Sequence, residues 1–89
     1  MVERTDEYII GRLIERSRLL IALSDEIPVA TKLETQPLLK QLEQALAAPA
    51  AEQDQGRVRG TYALLYEQLA DYADLEALLS ALKNFVPYL

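Results

Sequence analysis

The spacing of the apolar residues constrains this sequence most, because they recur every three to four positions through most of its 89 residues. Such spacing places them along one side of an α-helix, where successive residues are about 100° apart. Only 3 Gly and 4 Pro interrupt these segments, which argues against a fold of many short strands and turns. We therefore predict an all-α fold, a small antiparallel bundle of three to four helices in a single domain over residues 1–89.

Four segments carry the helical pattern, and one polar segment rich in small residues separates the second from the third. We predict helices over about residues 5–24, 36–48, 56–72 and 75–86, with a mobile loop over residues 48–56. No Gly or Pro separates the third helix from the fourth, so one kinked helix is an alternative for that pair.

Polar residues at the predicted helix starts are candidate N-caps. Thr5 precedes the first helix and Asp74 the fourth, and both residue types accept hydrogen bonds from the first turn. Residues 31–34, TKLE, match a capping box, but a helix starting there would contain Pro37. We therefore prefer Thr35 as the second N-cap, which leaves Pro37 in the first turn, where proline is tolerated.

The composition excludes several kinds of chemistry. The chain has no His and no Cys, which removes the commonest general base, the commonest transition-metal ligand and every disulfide. We find no phosphate-binding glycine motif, and so we predict no catalysis, no cofactor and no metal. The start, MVERTDE, does not resemble a signal peptide, and the longest aliphatic run, residues 19–23, is too short to span a bilayer. These features predict a cytoplasmic protein that does not enter a membrane.

The net charge of −5 is unevenly distributed. Residues 1–24 contain four basic and four acidic side chains, whereas residues 25–89 contain five basic and ten acidic ones. Nucleic-acid binding normally requires clustered Lys and Arg, so we predict no nucleic-acid partner. An acidic surface attracts basic proteins instead.

Three carboxylates are spaced to share one helical face. Glu67, Asp71 and Asp74 follow an i, i+4, i+7 pattern. Such a row of oxygens could bind Ca²⁺ or Mg²⁺, or it could simply form a solvated outer face. We prefer the solvated face.

Tyrosines mark the apolar side of the predicted third helix. Tyr62, Tyr66 and Tyr72 lie on that side. They could belong to the core with their hydroxyls at its rim, or they could line an interface or a ligand pocket. We prefer the core, and we retain Tyr62 and Tyr66 as interface candidates.

The stretch DEYIIGRLIERSRLL resembles the first helix of the all-helical chorismate mutases, in which an acidic pair is followed by aliphatic residues, Glu-Arg and Leu. The resemblance covers about 20 residues and implies that Arg16 contacts substrate. A lysine of that family corresponds here to Ile27, and the second helix, QPLLKQLEQAL, offers Lys40 as its single cation. The resemblance implies an alternative function as a small helical enzyme or ligand-binding bundle that uses Arg16 and Lys40. Without it, Arg16 is explained as a side chain that covers the edge of the apolar side with its methylenes.

More aliphatic residues are present than one buried side of each helix requires. Leu19 and Leu23 extend the apolar side of the first helix, and Leu64 faces away from the tyrosines. Clustered exposed aliphatics usually contact another chain. We predict a protein–protein interaction or regulatory module that acts through a symmetric homodimer or a partner protein. An antitoxin, immunity or inhibitor-type protein that neutralises a basic partner is the alternative. The interface candidates are Ile9, Leu19, Leu23, Tyr62, Leu64 and Tyr66.

Overall fold

The computed structural model describes the backbone of residues 2–89 and the side chains of residues 6–89. Its elements are α1 (Val2–Leu23), α2 (Val29–Ala47), a 3₁₀ helix (Ala50–Glu52), α3 (Gln55–Leu69) and α4 (Ala73–Leu82). The predicted all-α class is confirmed, since the described residues form helices and no strand. Within that described part, no helix combines the length and apolarity needed to cross a membrane.

The four α-helices form a closed ring around one core. Each helix packs against the next one in the chain, and α4 packs against α1 as well. Two side-chain hydrogen bonds show that α1 and α2 are antiparallel. Lys32 Nζ donates to the carbonyl of Ala22 at 3.2 Å, and one turn further along α2, Gln36 Nε2 donates to the carbonyl of Arg18 at 3.3 Å.

The core draws on every helix and on the two short segments that follow α1 and α4. Burying one such aliphatic side chain stabilises the fold by about 1.5–3 kcal/mol, which is why the apolar spacing determines the architecture. The buried apolar residues are Ile14, Ile21, Ile27, Leu39, Leu42, Leu46, Val58, Tyr62, Leu65, Leu69, Leu75, Leu79, Leu82 and Val86.

Two fully buried hydroxyl groups satisfy their hydrogen-bonding needs within their own helices. Ser17 Oγ donates to the carbonyl of Leu13 at 2.9 Å, and Thr35 Oγ1 donates to the carbonyl of Thr31 at 2.7 Å. A bond to the carbonyl four residues earlier avoids the cost of leaving a buried hydroxyl unpaired. Small polar residues can therefore occupy core positions of α1 and α2.

Helix α2 begins earlier than the sequence predicts. It starts at Val29, after Pro28 in the N-cap position, so Thr35 is not an N-cap but a buried residue of the helix interior. Pro37 consequently lies inside the helix, not in its first turn. The earlier turns of α2 contact α1, because Lys32 and Gln36 donate to carbonyls of that helix, and these tertiary contacts favour the longer helix against the local cost of an interior proline.

The starts of α1 and α4 also differ from the prediction. Helix α1 begins at Val2, which places Thr5 inside it instead of at its N-cap; the side chain of Thr5 lies outside the described residues. Helix α4 begins at Ala73 after Tyr72, so Asp74 belongs to its first turn, where the helix dipole favours an acidic residue.

A turn over residues 70–72 separates α3 from α4, so the two are distinct helices. The Tyr72 amide donates to the carbonyl of Leu69 at 3.1 Å within this turn. Leu69 and Leu75, on either side of it, are both buried. The change of direction lets both leucines reach one core without a Gly or a Pro in the turn.

The segment between α2 and α3 contains the 3₁₀ helix and is held by Gln53. Its side-chain amide donates to the carbonyls of Leu46 at 3.2 Å and Ala48 at 2.9 Å, and its carbonyl accepts from the Tyr88 hydroxyl. Asp54 then caps α3 by accepting from the amide of Arg57 at 3.1 Å. One glutamine thus connects the end of α2 to the C-terminal segment.

Candidate functional site

Four aliphatic side chains are exposed at the end of the α1–α2 hairpin, and we call them the hairpin-end patch. Leu19, Leu23, Val29 and Leu33 have 45%, 78%, 70% and 71% of their surface accessible. The bonds from Lys32 to Ala22 and from Gln36 to Arg18 place these parts of the two helices side by side. The patch therefore combines residues from two helices at one end of the bundle.

The helical geometry explains why these side chains remain outside the core. Ile21 and Thr35 are fully buried and mark the core-facing sides of α1 and α2. Leu23 follows Ile21 by two positions and Leu33 precedes Thr35 by two, which turns each of them about 160° away around its helix. The same burial that fixes the fold thus directs these leucines toward solvent.

Acidic residues border the hairpin-end patch. Asp25 and Glu26, in the segment after α1, and Glu34, in α2, all have exposed side chains. The neighbouring Lys32 is half-buried, and its ammonium group is bonded to a backbone carbonyl. The patch thus has an apolar centre and a mainly acidic border.

Two arginines and a tyrosine lie on the outer face of α1, on the N-terminal side of the patch. Tyr8, Arg12 and Arg16 are all exposed along it. Among the described side chains, the ion pair found is that between Glu15 and Arg18, so neither Arg12 nor Arg16 has an ion-pair partner there. Accessible charges of both signs therefore lie along α1, where Glu7 and Glu15 accompany the arginines, whereas the charged residues just beyond its end are carboxylates.

Two of the predicted interface candidates, the tyrosines of α3, lie against α4. Tyr62 is buried, and its hydroxyl donates to the carbonyl of Leu79 at 2.5 Å, while Tyr66 donates to Glu76 at 3.1 Å. Their rings stack with centroids 6.1 Å apart, and Lys83 Nζ lies 5.9 Å and 5.8 Å from the two centroids. These contacts bind α3 to α4.

The surroundings of the tyrosine pair shift its ionisation. Burial raises the pKa of Tyr62 to about 12, and the nearby Tyr66 and Glu76 charges add to the effect. The hydrogen bond to Glu76 raises the pKa of Tyr66. Hydrogen bonds from Ser80 and then Tyr66 lower the pKa of Glu76. At neutral pH the tyrosines are hydrogen-bond donors and Glu76 is a carboxylate.

The remaining interface candidates lie apart from the patch or are partly covered. Ile9 is half-buried on α1. Leu64 is half exposed on α3, a helix that packs mainly against α2 and α4. Of the six candidates, only Leu19 and Leu23 belong to the hairpin-end patch.

Arg16 and Lys40, which the chorismate mutase resemblance suggests as ligand-binding residues, do not line a common groove. Lys40 lines a groove of about 450 Å³ between α1 and α2, in which the arginine is Arg18. Glu15 and Glu43 line the same groove, and the hydrogen bond from Arg18 lowers the pKa of Glu15. Two cations facing two carboxylates leave little net positive charge for a dicarboxylate ligand.

A second groove, of about 370 Å³, lies beside the tyrosine pair. Arg59, Glu67 and Lys83 supply its charged side chains. Lys83 already lies over the two tyrosine rings, so part of this groove is occupied by a contact within the chain.

The three carboxylates considered as a cation site do not share one helix. Helix α3 ends at Leu69, so Asp71 lies in the following turn and Asp74 lies in α4. Glu67, on α3, is exposed, as are the other two. In the part of the chain that the structure describes, no group of three potential ligands is close enough to hold a metal ion.

Comparison with known proteins identifies no relative, since no family model, curated protein or solved structure matches the chain. We therefore infer its function from the geometry of the hairpin.

Sequence reasoning missed two residues of the patch. Val29 and Leu33 lie in a segment that the sequence predicts to be a connection between helices, because Pro37 argued against a helix there. Their i, i+4 spacing directly after Pro28 was the available signal, since proline is common near helix starts.

Proposed function

We propose that this protein is a regulatory protein–protein interaction module that acts as a symmetric homodimer, performs no catalysis, and uses the hairpin-end patch and the outer face of α1 as its interface. The observation that carries the proposal is the exposure of Leu19, Leu23, Val29 and Leu33 at one place on the surface. Clustered exposed aliphatics are typical of surfaces that contact another chain.

Self-association has a physical basis in the size of the domain. A chain of 89 residues buries only about two-thirds of its unfolded surface, so pairing adds a substantial amount of buried apolar area. A twofold interface uses the same surface on both copies, so the four aliphatics of the patch contribute twice. Each aliphatic side chain that becomes fully buried contributes about 1.5–3 kcal/mol before the cost of association.

Sedimentation equilibrium of two matched variants tests this proposal. We expect Leu23→Asp to dissociate the dimer, because burying an unpaired carboxylate in an apolar contact is costly. Leu64→Asp is the control, because Leu64 is also an exposed leucine but lies on α3, away from the patch. A dimer that survives Leu23→Asp and dissociates with Leu64→Asp would place the interface elsewhere.

The acidic border of the patch favours a second candidate function, the neutralisation of a basic partner protein. Asp25, Glu26 and Glu34 are exposed beside the aliphatics, and the whole chain carries a net charge of −5. Electrostatic attraction of this kind weakens as salt is added. Isothermal titration with a cationic amphipathic helix at low and high salt tests this function, and binding that is absent or indifferent to salt counts against it.

A further inference from the structure

We propose that the hairpin-end patch and the groove between α1 and α2 form one continuous strip, which binds a cationic amphipathic helix of a partner protein. Because the strip includes the patch, the bound helix displaces the second copy of the chain. This inference rests on the proposed homodimer and joins it to the basic partner at one surface. It is supported by the spacing of residues along the hairpin, by the lining of the groove and by the charges at the hairpin end.

The patch and the groove occupy the same faces of the two helices. Glu15 lines the groove, and Leu19 and Leu23 follow it in α1 at intervals of four residues. Pro37 lines the groove from α2, and Leu33 precedes it by four residues. Residues four apart in an α-helix lie on one face, about one turn from each other. The patch therefore continues the groove toward the end of the hairpin.

The length and the lining of the strip fit a helix. Ile14, in the groove, and Leu23 are nine residues apart, which is about 14 Å, or roughly two and a half turns, along α1. Ile14 and Leu39 are buried and give the groove, of about 450 Å³, an apolar floor. An amphipathic helix binds a groove of this kind through its apolar face, whereas an extended peptide pairs with the edge of a sheet. The described residues contain no strand that could supply such an edge.

The charges at the hairpin end favour a cationic partner over a second copy. Asp25, Glu26 and Glu34 are exposed beside the aliphatics, and among the described side chains none of them takes part in an ion pair. A second copy carries the same three carboxylates and a net charge of −5, whereas a cationic helix carries the opposite charge. Complementary charges around an apolar contact speed association and favour the partner that supplies them.

Sedimentation of the wild-type protein with a synthetic peptide tests the displacement. The probe is an amphipathic peptide of about 15 residues, long enough to cover the strip, with leucines on one face and lysines on the other. We expect the dimer to convert to a complex of one chain and one peptide. The control peptide has the same leucines and Glu in place of each Lys, and it should leave the dimer intact. A probe that binds the undissociated dimer, or a control that dissociates it equally, overturns the displacement.

Charge reversal along the strip tests the binding surface. Glu34 borders the patch and Glu43 lines the groove, and both are exposed. We expect Glu34→Lys and Glu43→Lys each to weaken binding of the cationic peptide about fivefold at low salt, and less at high salt. Glu67→Lys is the control, because Glu67 is an exposed glutamate on α3 and its reversal changes the net charge equally. Isothermal titration measures the affinities. Equal weakening by all three variants would show attraction by net charge alone and overturns the assignment of the strip.

The outcomes separate this inference from the proposed function. A wild-type dimer that the cationic peptide neither binds nor dissociates overturns the inference and leaves the homodimer standing. A wild-type monomer that binds the peptide, with the expected effects of the variants, overturns the homodimer and supports binding at the strip. A wild-type monomer that does not bind the peptide overturns both.

Discussion

At the scale of single residues, Tyr62 shows how one polar atom joins two helices. Its hydroxyl donates to the carbonyl of Leu79, which lies in the last turn of α4. Carbonyls at a helix C-terminus lack the usual backbone donor, so the tyrosine supplies a partner that α4 itself does not provide. The bond is buried, and buried polar groups are costly when they are left unpaired.

We expect Tyr62→Phe to lower the free energy of unfolding by about 1–2 kcal/mol, because it removes this bond but retains the ring. Urea denaturation of both proteins measures the difference. Tyr72→Phe is the control, because the hydroxyl of Tyr72, unlike those of Tyr62, Tyr66 and Tyr88, makes no hydrogen bond to the other described residues, so its change should cost less than about 0.5 kcal/mol. Equal effects of the two changes would contradict the assigned role of the Tyr62 hydroxyl.

The raised pKa of Tyr62 also predicts a loss of stability in alkali. An unfolded tyrosine has a pKa of about 10, whereas burial raises the pKa of Tyr62 in the fold to about 12. The folded chain therefore retains a proton that the unfolded chain releases. The resulting contribution to stability is complete below pH 10 and is lost as the pH rises to about 12. Urea unfolding across this range should show a steeper decline for wild type than for Tyr62→Phe; parallel curves would contradict the prediction.

At the scale of helices and turns, local rules predicted the existence of helices better than their ends. Thr35 and Pro37 together resemble a helix start, yet both lie inside α2, whose earlier turns contact α1 through Lys32 and Gln36. The turn over residues 70–72 contains no Gly or Pro, and it follows from the need to bury Leu69 and Leu75 in one core. In both cases the helix boundary depends on contacts with other helices, and the sequence of one segment does not reveal those contacts.

We expect Pro37→Ala to stabilise the protein, because it restores an amide donor inside α2 and removes the clash of the proline ring with the preceding turn. The gain should be about 1–2 kcal/mol, less than the roughly 3 kcal/mol cost of proline in an ideal helix, because the backbone has already adapted. Thermal and urea unfolding measure it.

Pro28→Ala provides the contrast for this change. Pro28 occupies the N-cap position of α2, where its missing amide is not needed by the helix and its fixed φ limits the unfolded chain. This substitution should leave the free energy of unfolding unchanged or slightly lower it. Destabilisation by Pro37→Ala would show that the proline is required by the packing of α2.

At the scale of the whole molecule, apolar spacing predicted the fold class because one core must cover one side of every helix. The spacing of apolar residues predicted the hairpin-end patch only in part. Leu19 and Leu23 are recognisable as surplus apolar residues on one helix, but Val29 and Leu33 join them only through the packing of α2 against α1. A surface formed by two helices can be identified only when the register between the two helices is known.

Sedimentation equilibrium of the wild-type protein over a wide range of concentration tests whether this surface pairs two copies of the chain. We expect a mass that rises with concentration to twice the 10.0 kDa of one chain. A mass that stays at that of one chain, even at the highest concentration, would contradict it.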